Sequence, residues 1–326
     1  MMMTGPSDLE IRRIVTDSDL DGVVTAAILR RWWTDAEVIF GHPGELRAGL
    51  FDEVIDEWTA VCDLPMHPRC GLSIDHHQSN RPGNYEGGAM VVWRDSPSAA
   101  RIAYDLFSEI VDLSDLEGLL FWVDKLDSGS ITRDEFLSDA PAIWLSRIID
   151  SGEGTAAWVL EQLRLGRTIE GILSDSRVSE LISEKERELE FLNESIRTNM
   201  RVEDRMAVVR LDGSGTRSNG YHVTAMAGDE CDACMIVHGD LGASFGDSER
   251  YPVSASFYTN SFLHPNGGVF DLTALATRFD SDGGGHANAC GCRIKPTEGG
   301  EVVERMVSED DIERNILVWL KMWSQR

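Results

Sequence analysis

Near the N-terminus, apolar runs stop abruptly at acidic or imidazole side chains. Ile11-Arg12-Arg13-Ile14-Val15 leads into Asp17-Ser18-Asp19-Leu20-Asp21-Gly22, and Val23-Val24-Thr25-Ala26-Ala27-Ile28-Leu29 follows directly. The first run predicts a buried strand and the last the start of an amphipathic helix, which puts three carboxylates on a tight strand-to-helix turn. Glu37 to Phe40 predicts a second strand, and Leu46 to Trp58 a helix with apolar positions at Leu50, Phe51, Val54, Ile55 and Trp58. Thr59 to Cys62 is a short apolar strand ending at Asp63, and Cys70 to Ile74 is another that stops at Asp75-His76-His77. Gly87 to Trp93 predicts one more strand. Ser96-Pro97-Ser98 then reads as a cap, with Pro97 inside the first turn of a helix from Ser98 to Ile110. Leu116 to Val123 predicts the next helix, ending at the pair Asp124 and Asp127. Alternating strands and helices imply an α/β fold with a mostly parallel sheet, whose carboxyl edge is where such folds build their sites.

The pattern then changes. From Pro141 to Met200 it is helical throughout, and Glu184-Lys185-Glu186-Arg187-Glu188 reads as a solvated face with near-neighbour ion pairs. A new unit with strands at 207–211, 233–237, 253–258 and 290–294 begins near Met206, and Leu272 to Phe279 is a short helix ahead of Gly283-Gly284-Gly285. Glu301 to Gln325 predicts a terminal amphipathic helix with Ile312, Ile316, Leu317, Leu320 and Trp323 at helical spacing. The expected organisation is a parallel-sheet domain with linking helices over residues 1–195, followed by a smaller α/β domain over 196–326.

Charge narrows the partners. The 326 residues carry a formal net charge of -26, and the 30 basic residues are 26 Arg and 4 Lys. Such a surface repels long polyanions at low salt, which counts against sequence-independent binding of duplex nucleic acid. No apolar run approaches the ~20 residues of a membrane helix, and the first residues lack a basic-then-apolar signal pattern, so the expectation is a cytoplasmic protein with no membrane partner. Of the six cysteines, Cys231/Cys234 and Cys290/Cys292 form close pairs, but neither has surroundings that complete a four-ligand zinc site, and ordinary thiols are expected.

The chemistry lies at the strand ends. Asp17, Asp19, Asp21, Asp63, Asp75, His76 and His77 fall along one rim. Carboxylates packed this closely raise one another's pKa unless a cation sits among them; a solvated acidic turn is the plain alternative for the first group. Carboxylate oxygens with neutral imidazole suit Mn²⁺ or Mg²⁺ rather than a soft metal.

These residues resemble the motifs of the DHH/DHHA1 phosphoesterase superfamily, in its RecJ-like and NrnA-like (oligoribonuclease) branches. Asp17-Ser18-Asp19-Leu20-Asp21-Gly22 resembles the first motif, Asp63 the second, Asp75-His76-His77 the third, and Asp127-Ser128 the fourth, with Asp124 as its rival. Gly283-Gly284-Gly285-His286 is similar to the GGGH motif of the DHHA1 substrate-binding domain. The resemblance implies two divalent cations, Mn²⁺ with Mg²⁺ as the alternative. Asp63 would bridge them, Asp17 and Asp19 would complete one site, and Asp21, His76 and Asp127 the other. Asp75 would orient its neighbour as an outer partner. His77 would face the substrate phosphate, and Gly283, Gly284, Gly285 and His286 would clamp the substrate from the second domain across a cleft. Asp63, Asp75, His76 and His77 form the implied catalytic set. Two features depart from the family: Arg13, Ile14 and Val15 stand where many members carry a histidine, and Phe257-Tyr258 where sister domains carry a substrate-binding arginine.

The implied activity is two-metal hydrolysis of phosphodiesters or phosphomonoesters in small nucleotides: short single-stranded oligoribonucleotides, cyclic dinucleotides or nucleoside bisphosphates. Inorganic pyrophosphatase or exopolyphosphatase activity is the nearest alternative, and a non-catalytic binding module the more distant one. A homodimer is compatible with the sequence. An excess of carboxylate with little lysine is also what a salt-rich cytoplasm selects, because concentrated salt screens the self-repulsion. The expected outcome is unfolding at low salt and refolding in molar KCl; a melting curve independent of salt removes this reading.

Overall fold

The structure is a computed structural model and describes residues 5–83, 85, 87–239 and 252–326. The chain divides into two units: residues 1–131 with 138–185, and residues 132–137 with 186–326.

The first unit is built on five strands, β1 (Arg13–Thr16), β2 (Glu37–Phe40), β3 (Thr59–Cys62), β4 (Leu72–Asp75) and β5 (Met90–Trp93), in the order β2-β1-β3-β4-β5. Every pairing is parallel. All the carboxyl ends therefore lie on one edge, as the alternating pattern predicted. Helix α1 (Leu20–Trp32) starts at Asp19, whose side chain accepts a hydrogen bond from the amide of Gly22, and it is buried without interruption from Leu20 to Leu29. Its all-round apolar composition follows from its position, packed on β1 and β3 and against four further helices. Gly22 is required at the turn, because a Cβ there would lie 2.1 Å from the carbonyl oxygen of Asp17.

The predicted helix from Leu46 to Trp58 does not form. Helix α2 spans only Pro43–Arg47, and Gly49, with φ of 78°, turns the chain out of the helix. Leu50 is left exposed, while Phe51, Val54 and Ile55 still pack under the sheet from irregular backbone. Helix α3 (Ala99–Phe107) is capped by the Ser98 hydroxyl, so Pro97 precedes the cap instead of lying in the first turn. Helix α4 (Glu117–Asp127) carries both Asp124 and Asp127. A short helix, α5 (Arg133–Phe136), belongs to the second unit. Then come α6 (Pro141–Ile149), α7 (Glu153–Arg164), α8 (Ile169–Leu173) and the long α9 (Ser176–Asn199), which runs from the first unit into the second.

The second unit contains β6 (Met200–Glu203), β7 (Met206–Arg210), α10 (Gly220–Ala227), β8 (Ala233–His238), β9 (Ser254–Thr259), α11 (Thr273–Ala276), β10 (Gly284–His286), β11 (Ala289–Arg293), the small hairpin β12 (Thr297–Glu298) and β13 (Glu301–Val302), and α12 (Glu309–Trp323). Its main sheet has the order β10-β11-β9-β8-β7-β6. Only β7 and β8 pair in parallel. Strand β6 and helix α10 were not legible in the sequence. The terminal helix is shorter than predicted: residues 301–302 form a hairpin strand, and α12 begins only after a Ser308–Asp311 capping box. Leu317, expected in the core, is 60% exposed, and Trp319 takes the buried position. No helix among the described residues is long and apolar enough to cross a membrane.

Trp319 packs edge-on against Phe257, with ring centroids 5.1 Å apart. We expect Trp319→Ala to cost about 3–5 kcal/mol of unfolding free energy and Leu317→Ala to stay within about 0.5 kcal/mol in urea titrations. Equal costs at the two positions would contradict the assigned helix face.

Candidate metal centre

Four of the five parallel strands deliver polar side chains to the carboxyl edge: Asp17 after β1, His42 after β2, Asp63 after β3, and Asp75, His76 and His77 at the end of β4. Asp127 arrives from the last residue of α4. Among the described residues, two groups bring ligand atoms within 4.8 Å of one another: Asp63, Asp75, His76 and His77, and Asp21, His76 and Asp127. His76 belongs to both.

The orientation of His76 decides the character of the site. Its Nδ1 lies 3.1 Å from the carbonyl oxygen of Ser96, which can only accept, so Nδ1 carries the hydrogen. In the neutral ring Nε2 is then a bare lone pair. That atom faces Asp127 Oδ2 at 2.9 Å, Asp63 Oδ1 at 3.7 Å and Asp21 Oδ2 at 3.8 Å. Asp63 Oδ1 and Asp75 Oδ2 are buried without a hydrogen-bond partner, and the buried pair His76 Nε2 and Asp127 Oδ2, 2.9 Å apart, is unpaired whenever the ring is neutral. Buried polar atoms left unpaired cost free energy, so their convergence points to a cation held among them. The donor set, carboxylate oxygen with imidazole nitrogen, fits a hard or borderline divalent ion.

The electrostatics agree. Burial, with Asp127 and Asp19 nearby, raises the pKa of Asp21 to about 8, even though the amides of Ala99 and Ala100 at the start of α3 each donate to it at 2.7 Å. Burial and the same crowd of acids push Asp63 well above the ordinary aspartate range. Burial disfavours the cationic form of His76, but the carboxylates of Asp127 and Asp21 outweigh it and raise its pKa. Asp63 also has φ of 55°, an unusual backbone state for a residue other than glycine, and it puts the carboxylate at the centre of the cluster.

Several expectations change at the atomic level. Asp75 does not orient the His76 ring. Its Oδ1 accepts from the backbone amides of His76 and His77, at 2.8 and 3.1 Å, and from Nδ1 of His77 at 2.9 Å, so the ring it fixes is that of His77. The cause is local geometry: the main chain turns at the end of β4 and brings the second imidazole back over the carboxylate, while Ser96 takes the first. Asp124 lies outside both ligand groups, bonded to Ser98 Oγ at 2.7 Å and paired with Arg101 between α3 and α4. Asp17 and Asp19 also lie outside the two groups. Asp19 caps α1, and Asp17 accepts from the amide of Ser18.

His42 was not singled out in the sequence, yet its Nδ1 lies 3.4 Å from Asp17 Oδ1. Its position directly after a strand was the available signal.

In the second unit, Gly284 and Gly285 have φ of 156° and 137° and pair with β11 in a hairpin instead of forming an open loop. A Cβ on Gly283 would meet the Ala276 carbonyl oxygen at 2.5 Å, so close packing alone requires glycine there. His286 is exposed on this edge strand. Phe257 is core, and Tyr258 lies on the opposite face of β9. All six cysteines are free thiols. Burial pushes Cys62 and Cys234 far up, which keeps both protonated.

No protein-family model matches the sequence, and none of the curated proteins searched matches it. Solved structures do. The chain is similar to PggH, a pGpG-specific phosphodiesterase from Vibrio cholerae, with TM-score 0.75 and 21% identity over 95% of this chain and 98% of that one. It is similar to the exonuclease RecJ bound to manganese, with TM-score 0.53 and 15% identity over 96% of this chain and 90% of that one. A DHH domain from a member of a ribosomal-protein family matches with TM-score 0.54 and 12% identity over 97% of this chain and 87% of that one. These likenesses show a shared α/β fold.

Proposed function

We propose that this chain is a divalent-metal-dependent phosphoesterase that hydrolyses small nucleotide substrates. The observation that carries the reading is the convergence of buried ligand atoms on Asp63, Asp75, His76 and Asp127, two of which, Asp63 Oδ1 and Asp75 Oδ2, have no hydrogen-bond partner. Asp21, Asp63, His76 and Asp127 would hold Mn²⁺ or Mg²⁺, with Asp63 as the shared ligand and Asp17 and Asp19 completing the set. A bound pair of such cations supplies an activated water and neutralises charge on a phosphoryl group.

The chain's own residues do the rest. The hydrogen bond from Nδ1 of His77 to Asp75 favours the imidazolium and raises its pKa. His77, exposed at the rim, thereby holds a proton on Nε2 for a substrate phosphate oxygen. Similarity to a pGpG phosphodiesterase and to RecJ favours a short nucleotide, and a net charge of -26 disfavours a long polyanion.

Hydrolysis of p-nitrophenyl-TMP, short oligoribonucleotides, cyclic dinucleotides and pyrophosphate, each with Mn²⁺, tests the reading. We expect turnover of nucleotides, and a loss of more than about 100-fold in Asp63→Ala, beyond the effect of removing a merely supporting residue, with an unchanged melting curve. Turnover of pyrophosphate alone would move the assignment to phosphoanhydrides, and an Asp63→Ala protein as active as the wild type would contradict it.

Metal binding must also displace protons. The metal-free fold keeps buried Asp21 protonated to about 8, whereas an ordinary aspartate has lost its proton above 3.8. The folded, metal-free protein thus holds a proton that the unfolded chain does not, and this group removes stability as pH rises through that window. Mn²⁺ reverses the sign by taking the deprotonated form, so its affinity should climb as pH rises to about 8. Calorimetry in buffers of different ionisation heat should register net proton release at pH 7; uptake, or none, would contradict the ligand set.

A further inference from the structure

We propose that Arg81, held on Trp93, is a specificity-determining contact for a second, non-scissile phosphate of the substrate. The proposal rests on the phosphoesterase reading above and adds to it a requirement for a substrate with two phosphates.

Trp93 is the last residue of β5 and pairs in register with Asp75. Its indole N–H donates to the carbonyl oxygen of His77 at 2.9 Å, which ties the ring to the rim of the ligand cluster. The guanidinium carbon of Arg81 lies over that ring, 5.0 Å from its centroid. The contact holds the planar cation by its face and uses none of its N–H donors. Arg81 is exposed, and no carboxylate partner for it is found among the described residues. Elsewhere in the same unit Arg94 pairs with Asp105, and Arg101 with Asp124. In a chain of net charge -26, an arginine beside an acidic centre that takes no acid keeps its donors for an anion from outside. The His77 imidazole serves the phosphate at the cluster; Arg81, carried on the ring that bonds the His77 carbonyl, takes the next phosphate of the same molecule.

The test compares a 5′-phosphorylated ribodinucleotide with the same dinucleotide lacking that phosphate, using wild type, Arg81→Ala and Arg81→Lys. With Mn²⁺, Arg81→Ala should raise KM for the phosphorylated substrate about tenfold or more, leave kcat within about twofold, and leave the other dinucleotide unchanged. Arg81→Lys should recover part of the loss. Equilibrium dialysis in EDTA, where no turnover occurs, should show wild type preferring the phosphorylated ligand and Arg81→Ala showing no preference. Equal effects on both dinucleotides, or none, would overturn the assignment while leaving the hydrolase reading in place. Phosphate-selective, Arg81-dependent binding without turnover of either dinucleotide would do the reverse.

Discussion

One hydrogen bond governs the centre of this molecule: Nδ1 of His76 to the carbonyl oxygen of Ser96. It fixes which ring nitrogen bears the proton and turns the other lone pair onto the carboxylates of Asp21, Asp63 and Asp127. Lone pairs facing one another in a buried space repel unless something positive lies between them. A proton can fill that role for one pair of atoms, and the raised pKa values of His76, Asp21 and Asp63 are the form this takes without metal. A divalent ion, as the proposed function requires, would fill it for the whole set.

The fold exists to make that confrontation rigid. Parallel pairing brings the ends of β1, β3 and β4 level, although Asp17, Asp63 and Asp75 are far apart in sequence. The start of α3 donates two amides to Asp21, and the end of α4 presents Asp127. Each ligand is thus carried by a strand end or a helix terminus whose own packing fixes it, so little ordering is left to be done when an ion or substrate arrives. The strained backbone of Asp63 marks the place where position was favoured over conformational ease.

Much of this was legible in the sequence, for a physical reason. A buried strand that ends in a carboxylate or imidazole leaves an abrupt apolar-to-polar boundary, and three such boundaries at Asp17, Asp63 and Asp75 announced the edge. What periodicity could not supply was direction. Asp124 and Asp127 share one helix three residues apart, and only packing on Arg101 separates the structural acid from the one in the cluster. Asp75 likewise serves His77 because of how the chain turns after β4. The stretch from Leu46 kept its apolar spacing but lost its helix at Gly49, whose positive φ is invisible to a hydrophobic pattern. His42 escaped notice because a single imidazole in a loop carries no spacing of its own.

The acidic surface and the acidic centre set one constraint together. A surface with this much negative charge repels phosphate, and the proposed function requires the cluster of Asp63, His76 and Asp127, with His77 beside it, to hold the cations that offset that repulsion. The most direct measurement is anomalous diffraction from crystals soaked in manganese. The account predicts manganese peaks coordinated by Asp63 Oδ1, His76 Nε2 and Asp127 Oδ2. Ordered side chains in this arrangement with no anomalous density among them, or ligand atoms turned away to solvent, would contradict it.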